Sequence, residues 1–124
     1  MSKKQKNVLG GDLELCSSNP LTGWYRDGCC NTDDNDNGLH TVCAKVNSDF
    51  LEWCKTAGND LITPHPEFGF PGLKDGDNWC VCATWFAKAV EARKGCKIYL
   101  KKTNEKTLKV IPLEILKKHA IDLS

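Results

Sequence analysis

Cysteine constrains this chain more than any other feature. Eight of the 124 residues are cysteine: Cys16, Cys29, Cys30, Cys43, Cys54, Cys80, Cys82 and Cys96. A chain of this length is close to the commonest size of one domain. It buries roughly two-thirds of the surface its unfolded form exposes. It needs no covalent staple to fold, so the cysteines require another explanation.

The N-terminus reads MSKKQKNVLGGDLELC, charge with no apolar run behind it, which does not fit a secretory signal. No stretch has the apolar length needed to span a bilayer. The expected location is therefore cytoplasmic. Stable disulfides are rare in a reducing cytosol, and the cysteines then point to metal binding, thiol chemistry or buried thiols. The formal net charge is +1, so no global field gathers nucleic acid or an anionic membrane, and neither is expected as a partner. The basic N-terminus, the acidic run at 33–36 and the Lys-rich stretch at 93–118 read as solvated surface.

Residues 1–6 are expected to form a disordered basic tail and 7–124 a single domain. Turn residues crowd 16–38, which predicts a long irregular segment bearing cysteines. Residues 39–46 alternate as a strand, with His40, Val42, Ala44 and Val46 on one face and Cys43 on the other. Asn47 or Ser48 caps a helix to about Ala57, stopped by Gly58, with Phe50 and Cys54 on its apolar side. Pro64, Pro66, Pro71, Gly69, Gly72 and Gly76 make 59–78 a long loop, packed by its own Phe68, Phe70 and Leu73. A strand follows at 79–82, then a helix from about 84 to 94 with Trp85, Ala89 and Ala92 inward. A strand over 97–101 follows, with Ile98 and Leu100 inward. Thr103 or Asn104 caps a short helix, and Pro112 opens the last one. The mixture predicts an α+β domain with short strands, three to four short helices and long irregular cysteine-bearing loops.

Three constellations carry chemistry. Cys29, Cys30, Cys80 and Cys82 are the candidate reactive thiols. Cys29 follows Arg26 by three residues, and Cys82 stands just before a helix, and a cation or a helix N-terminus activates a thiol. A nucleophile at one and a resolving thiol at another make a redox pair. The vicinal pair Cys29-Cys30 closes on itself only with strain, so its members engage different partners. The same thiols with His40, Cys43 and Cys16 form the alternative, a zinc or iron site. Its spacings are poor: there is no C-x-x-C, and on a regular strand His40 and Cys43 share a face only if a bulge intervenes. The third reading is that the cysteines are small core hydrophobes, which is favoured for Cys54 and extends to Cys96. Asp33-x-Asn35-x-Asn37-Gly38 imitates half a calcium loop, but the twelfth position falls on Ala44, which cannot ligate.

The phrases NVLGGDLELC, TGWYRDGCCNT, HTVCA, GNDLITPHPEFGFPGLKDGDNWCVCA and IPLEILKKHAID together resemble a family of small bacterial proteins known as a domain of unknown function. The resemblance spans about residues 7–122. It implies a ranking of residues: Cys16, Cys29, Cys30, Cys43, Cys80 and Cys82 fit the family pattern, as do His40, Asn59, Asp60, Glu67 and Trp79. Cys54 and Cys96 depart from it. The family transfers no activity. The sequence thus supports a thiol-dependent redox or small-ligand-binding protein, with Arg26, Asn59, Asp60, Glu67 and Trp79 as the candidate pocket. A zinc or iron module and a plain interaction domain are the alternatives.

Overall fold

The computed structural model describes residues 5–122. It is an α+β domain, as expected, built around a three-stranded antiparallel sheet in the order β2-β1-β3. In chain order the elements are β1 (His40–Lys45), α1 (Ser48–Ala57), β2 (Asn78–Cys82), α2 (Ala83–Glu91), β3 (Lys97–Ile98) and α3 (Leu113–His119). Short 3-10 helices at Pro66–Phe68, Leu100–Lys102 and Glu105–Lys109 punctuate the loops. Residues 1–4 of the expected tail lie outside the described residues. Gln5 is tied down, its side chain exchanging hydrogen bonds with the backbone of Thr32, and Lys6 bonds Asp12.

The pairing of β1 with β2 decides what each sheet face carries. Val42 lies opposite Val81 and Ala44 opposite Trp79, while Cys43 lies opposite Cys80 and His40 opposite Cys82. Directly opposed residues share a face. One face is therefore apolar, and the other bears sulfur and imidazole. A register shift between His40 and Val42 makes this possible. Thr41 is the extra residue of the bulge. It is fully buried, its carbonyl accepts from the Asn104 amide, and its hydroxyl pairs with that of Thr107 at 2.6 Å. The bulge returns His40 to the face of Cys43, where a regular strand would oppose them.

The apolar face is covered by the helices. Val42, Ala44, Trp79 and Val81 form one core with Phe50, Leu51 and Cys54 of α1, Ala83, Phe86 and Ala89 of α2, and Leu116 of α3. Helix α1 begins where Asn47 accepts the Phe50 amide and ends at Gly58, whose φ of 107° no side chain favours. Helix α2 starts one residue earlier than expected and buries Phe86, while Ala92 is exposed beyond its end. Phe50 and Phe86 meet at 6.2 Å, and Trp53 and Trp85 at 5.5 Å. In the long loop Phe70 and Leu73 are buried, but Phe68 is 77% exposed and packs nothing into the core.

His119 closes the far end of the core, its ring edge-on to Phe86 at 5.7 Å. Burial above all, then the charges of Lys97 and Lys118, holds its pKa below the ordinary 6.5. The unfolded chain therefore takes up this proton first as pH falls. The contribution is complete above pH 6.5 and is lost as pH falls through the depressed folded value. Thermal unfolding of the wild type should weaken across that window more than that of His119→Gln. Equal pH profiles in the two proteins would remove this role from His119.

Candidate functional site

The sulfur-bearing face holds two disulfides. Cys16 joins Cys43, and Cys30 joins Cys80. All four are buried, forming a second cluster flanked by Tyr99. The sheet supplies Cys43 and Cys80. The irregular segment ahead of β1 supplies Cys16 and Cys30 and folds back over the sheet. Gly28 allows that close return: at its φ of 89° a Cβ would stand 3.1 Å from the Ser17 carbonyl and run into Leu15. Two of the four candidate thiols, Cys30 and Cys80, are thus bonded to one another. Cys16 and Cys43 are likewise bonded to each other and do not join His40 in a ligand set. The vicinal cysteines do take different roles, since Cys29 stands outside both disulfides.

Cys82 retains its thiol and is half-buried at the N-cap of α2. Its sulfur contacts the Gly38 carbonyl at 2.7 Å and the Thr84 hydroxyl at 2.9 Å. Across the ladder stands His40. A Cβ placed on Gly38 would lie 2.7 Å from the Cys82 sulfur and 3.9 Å from Cε1 of His40. Sulfur and imidazole therefore flank this glycine, and a side chain there would displace the thiol.

The orientation of His40 is fixed by Asp36, which belongs to an acidic run expected at the solvated surface. Asp36 is 2% exposed. One carboxylate oxygen lies 2.7 Å from Nδ1 of His40, and the other accepts the His40 amide at 2.8 Å and the Thr32 hydroxyl at 2.9 Å. A carboxylate can only accept, so the neutral ring carries its proton on Nδ1 and leaves Nε2 as the bare acceptor. Among the described residues Nε2 has no hydrogen-bond partner. The ring stacks on Trp24 at 5.7 Å and 19°. Asp33 takes no part. Its carboxylate accepts from the Tyr25 hydroxyl and the Asn35 amide, and the first of these mainly holds its pKa below the usual range.

His40 and Cys80 lie in the wall of a cleft of about 570 Å³. Of the candidate pocket residues, Arg26, Asp60 and Trp79 line it. The Arg26 guanidinium stands 5.1 Å over the Trp79 ring and donates to the Gly23 carbonyl at 2.7 Å. Asp60 is held ionised chiefly by the Thr63 hydroxyl, with the amides of Ile62 and Thr63 adding to it. Asn59 and Glu67 are not in the wall. The Asn59 amide closes the end of α1 on the Cys54 carbonyl, and Glu67 is exposed, 4.0 Å from His65. Trp24, Leu61, His65, Phe68 and Phe70 complete the lining, none of them among the candidate pocket residues. An i, i+4 spacing from Asp36 to His40 was the only sequence signal for the buried pair.

The remaining cysteines behave as core. Cys54 and Cys96 are buried, and burial raises both thiols, that of Cys96 to about 12. Cys54 also accepts the Trp85 indole N–H at 3.2 Å.

Fold and site together define a small α+β domain with one sheet face given to packing and the other to sulfur and imidazole. Its chain belongs to a bacterial family, as the phrases quoted above implied. The family is described as uncharacterised protein conserved in bacteria (DUF2237), and its model matches residues 6–120. No curated protein matches the chain. Among the described residues no helix is long and apolar enough to cross a membrane.

Proposed function

We propose that this is a thiol-dependent redox protein that receives a small-molecule partner in the cleft beside His40. One observation carries the reading: Cys82 stands opposite His40 on one sheet face, beside the Cys30–Cys80 disulfide, and the buried Asp36 of the preceding loop holds the His40 ring through Nδ1. In that arrangement Nε2 of His40 takes the thiol proton of Cys82, and Asp36 stabilises the resulting imidazolium. The sulfur then attacks a disulfide or another electrophilic sulfur, and the expelled sulfur leaves as thiolate. Trp24 and Trp79 offer flat apolar walls to the partner, and Arg26 offers a donor for an anionic group on it.

The test is residue-resolved alkylation of the native protein with iodoacetamide at neutral pH. Cys82 should label far faster than Cys54 and Cys96, and His40→Ala should slow Cys82 while leaving the buried pair unchanged. Labelling of Cys82 at the rate of the core cysteines, or indifference to His40, would defeat the reading.

A further inference from the structure

The four disulfide sulfurs are packed more tightly than two independent crosslinks require. The sulfurs of Cys16, Cys30 and Cys80 all lie within 4.8 Å of one another, although Cys16 belongs to the other disulfide. Cys43 is bonded to Cys16 and stands directly opposite Cys80 on the sheet. None of the four is more than 3% exposed. We propose that, when both disulfides are reduced, Cys16, Cys30, Cys43 and Cys80 form a closed tetrathiolate site for one zinc-class cation.

The geometry needs little change. Zinc holds thiolate sulfurs at about 2.3 Å, which places tetrahedral sulfurs about 3.8 Å apart. That spacing falls inside the 4.8 Å already spanned by three of the four. Cys43 and Cys80 are fixed on paired strands, while Cys16 and Cys30 sit on irregular backbone that can move outward as each S–S bond opens. Two rigid and two adjustable ligands can open a disulfide pair into a tetrahedron. The set differs from the one the sequence suggested, because neither His40 nor Cys82 belongs to it. It is also independent of the proposed chemistry at Cys82.

The conversion balances. Each disulfide takes two electrons and two protons from a dithiol reductant, which leaves as its own disulfide. The cation then displaces the four thiol protons and is held by four thiolates. Oxidation reverses both steps and expels the metal. Two buried crosslinks are thereby exchanged for one metal crosslink among the same four chain positions.

Cobalt(II) is the probe. The full chain, reduced under argon with a phosphine and freed of excess reductant, is titrated with cobalt and read by absorption. One equivalent should produce sulfur-to-cobalt charge-transfer absorption with tetrahedral ligand-field bands, and zinc should displace it. Zinc should also raise the thermal midpoint of the reduced protein. Cys16→Ser and Cys30→Ser, both on irregular segments, should each abolish the tetrathiolate spectrum, whereas Cys29→Ser and Cys82→Ser should leave it unchanged. The proposal is overturned if no such bands appear, whether the reduced protein stays folded by far-ultraviolet circular dichroism or unfolds and fails to refold with metal. Bands that survive in Cys30→Ser but vanish in Cys82→Ser would also overturn it.

Discussion

Replacing Cys30 and Cys80 together by alanine should lower stability by about 4 kcal/mol and the thermal midpoint by roughly 10–15 °C. The crosslink spans 50 residues, and the gain from a disulfide grows with the loop it closes in the unfolded chain. It ties the segment ahead of β1 to the edge strand β2. The Asn104 side chain also donates to the Cys30 carbonyl at 3.1 Å, so loss of the anchor reaches the 104–107 turn that supports the β1 bulge. The Cys16–Cys43 bond spans 27 residues and should be worth slightly less, about 3.5 kcal/mol. The two loops overlap in sequence, so removing both should cost less than the separate losses combined. Denaturant unfolding without reductant measures all three proteins. An unchanged midpoint in the Cys30/Cys80 double variant would mean that the bond is not formed in the native protein.

The second large effect should come from a single atom. Asp36→Asn keeps the shape of the carboxylate but replaces one oxygen by an amide that donates. The retained oxygen is best placed where the His40 amide and the Thr32 hydroxyl already converge. The new NH2 then faces Nδ1 of His40, where the carboxylate previously accepted. To accept from it, the ring must carry its proton on Nε2, which then has no lone pair left to take a thiol proton. Alkylation of Cys82 should slow by about tenfold or more. Nitrogen chemical shifts of the His40 ring should report the exchanged tautomer in a protein of near-wild-type fold. An unchanged tautomer with an unchanged labelling rate would show that Asp36 does not direct His40 toward the thiol.

The readable parts of the fold were those whose causes are local. Asn47 and Gly58 bracket α1 because a side-chain acceptor and a left-handed residue act within one turn of the helix they bound. Asn104 caps the 3-10 helix over 105–109, and Pro112 stands at the start of α3, for reasons of the same range. Reading failed where a distant partner competes. The alternation at 97–101 predicts a strand, yet β3 ends at Ile98. There the amides of Leu100 and Lys101 turn to the carboxylate of Asp122, more than twenty residues away. Spacing alone allows a stripe of Trp85, Ala89 and Ala92, and packing of Phe86 on Phe50 selects that of Ala83, Phe86 and Ala89 in α2 instead.

The sequence by itself determined the α+β class, the ends of α1, the burial of Cys54 and the nomination of Cys82 and His40 as residues worth testing. Only the tertiary structure decided which cysteines pair and which residue orients the histidine. Eight cysteines admit many pairings, and their spacing along the chain carries no record of which strands will be neighbours. The bulge at Thr41 is the sharpest case. Side chains in a strand alternate with a period of two, so one extra residue transfers everything beyond it to the other face. The Asn104 and Thr107 side of the molecule, more than sixty residues downstream, supplies the hydrogen bonds that hold Thr41 in place. That long-range pairing puts His40 on the face of Cys43 and opposite Cys82, an arrangement local propensity has no means to encode.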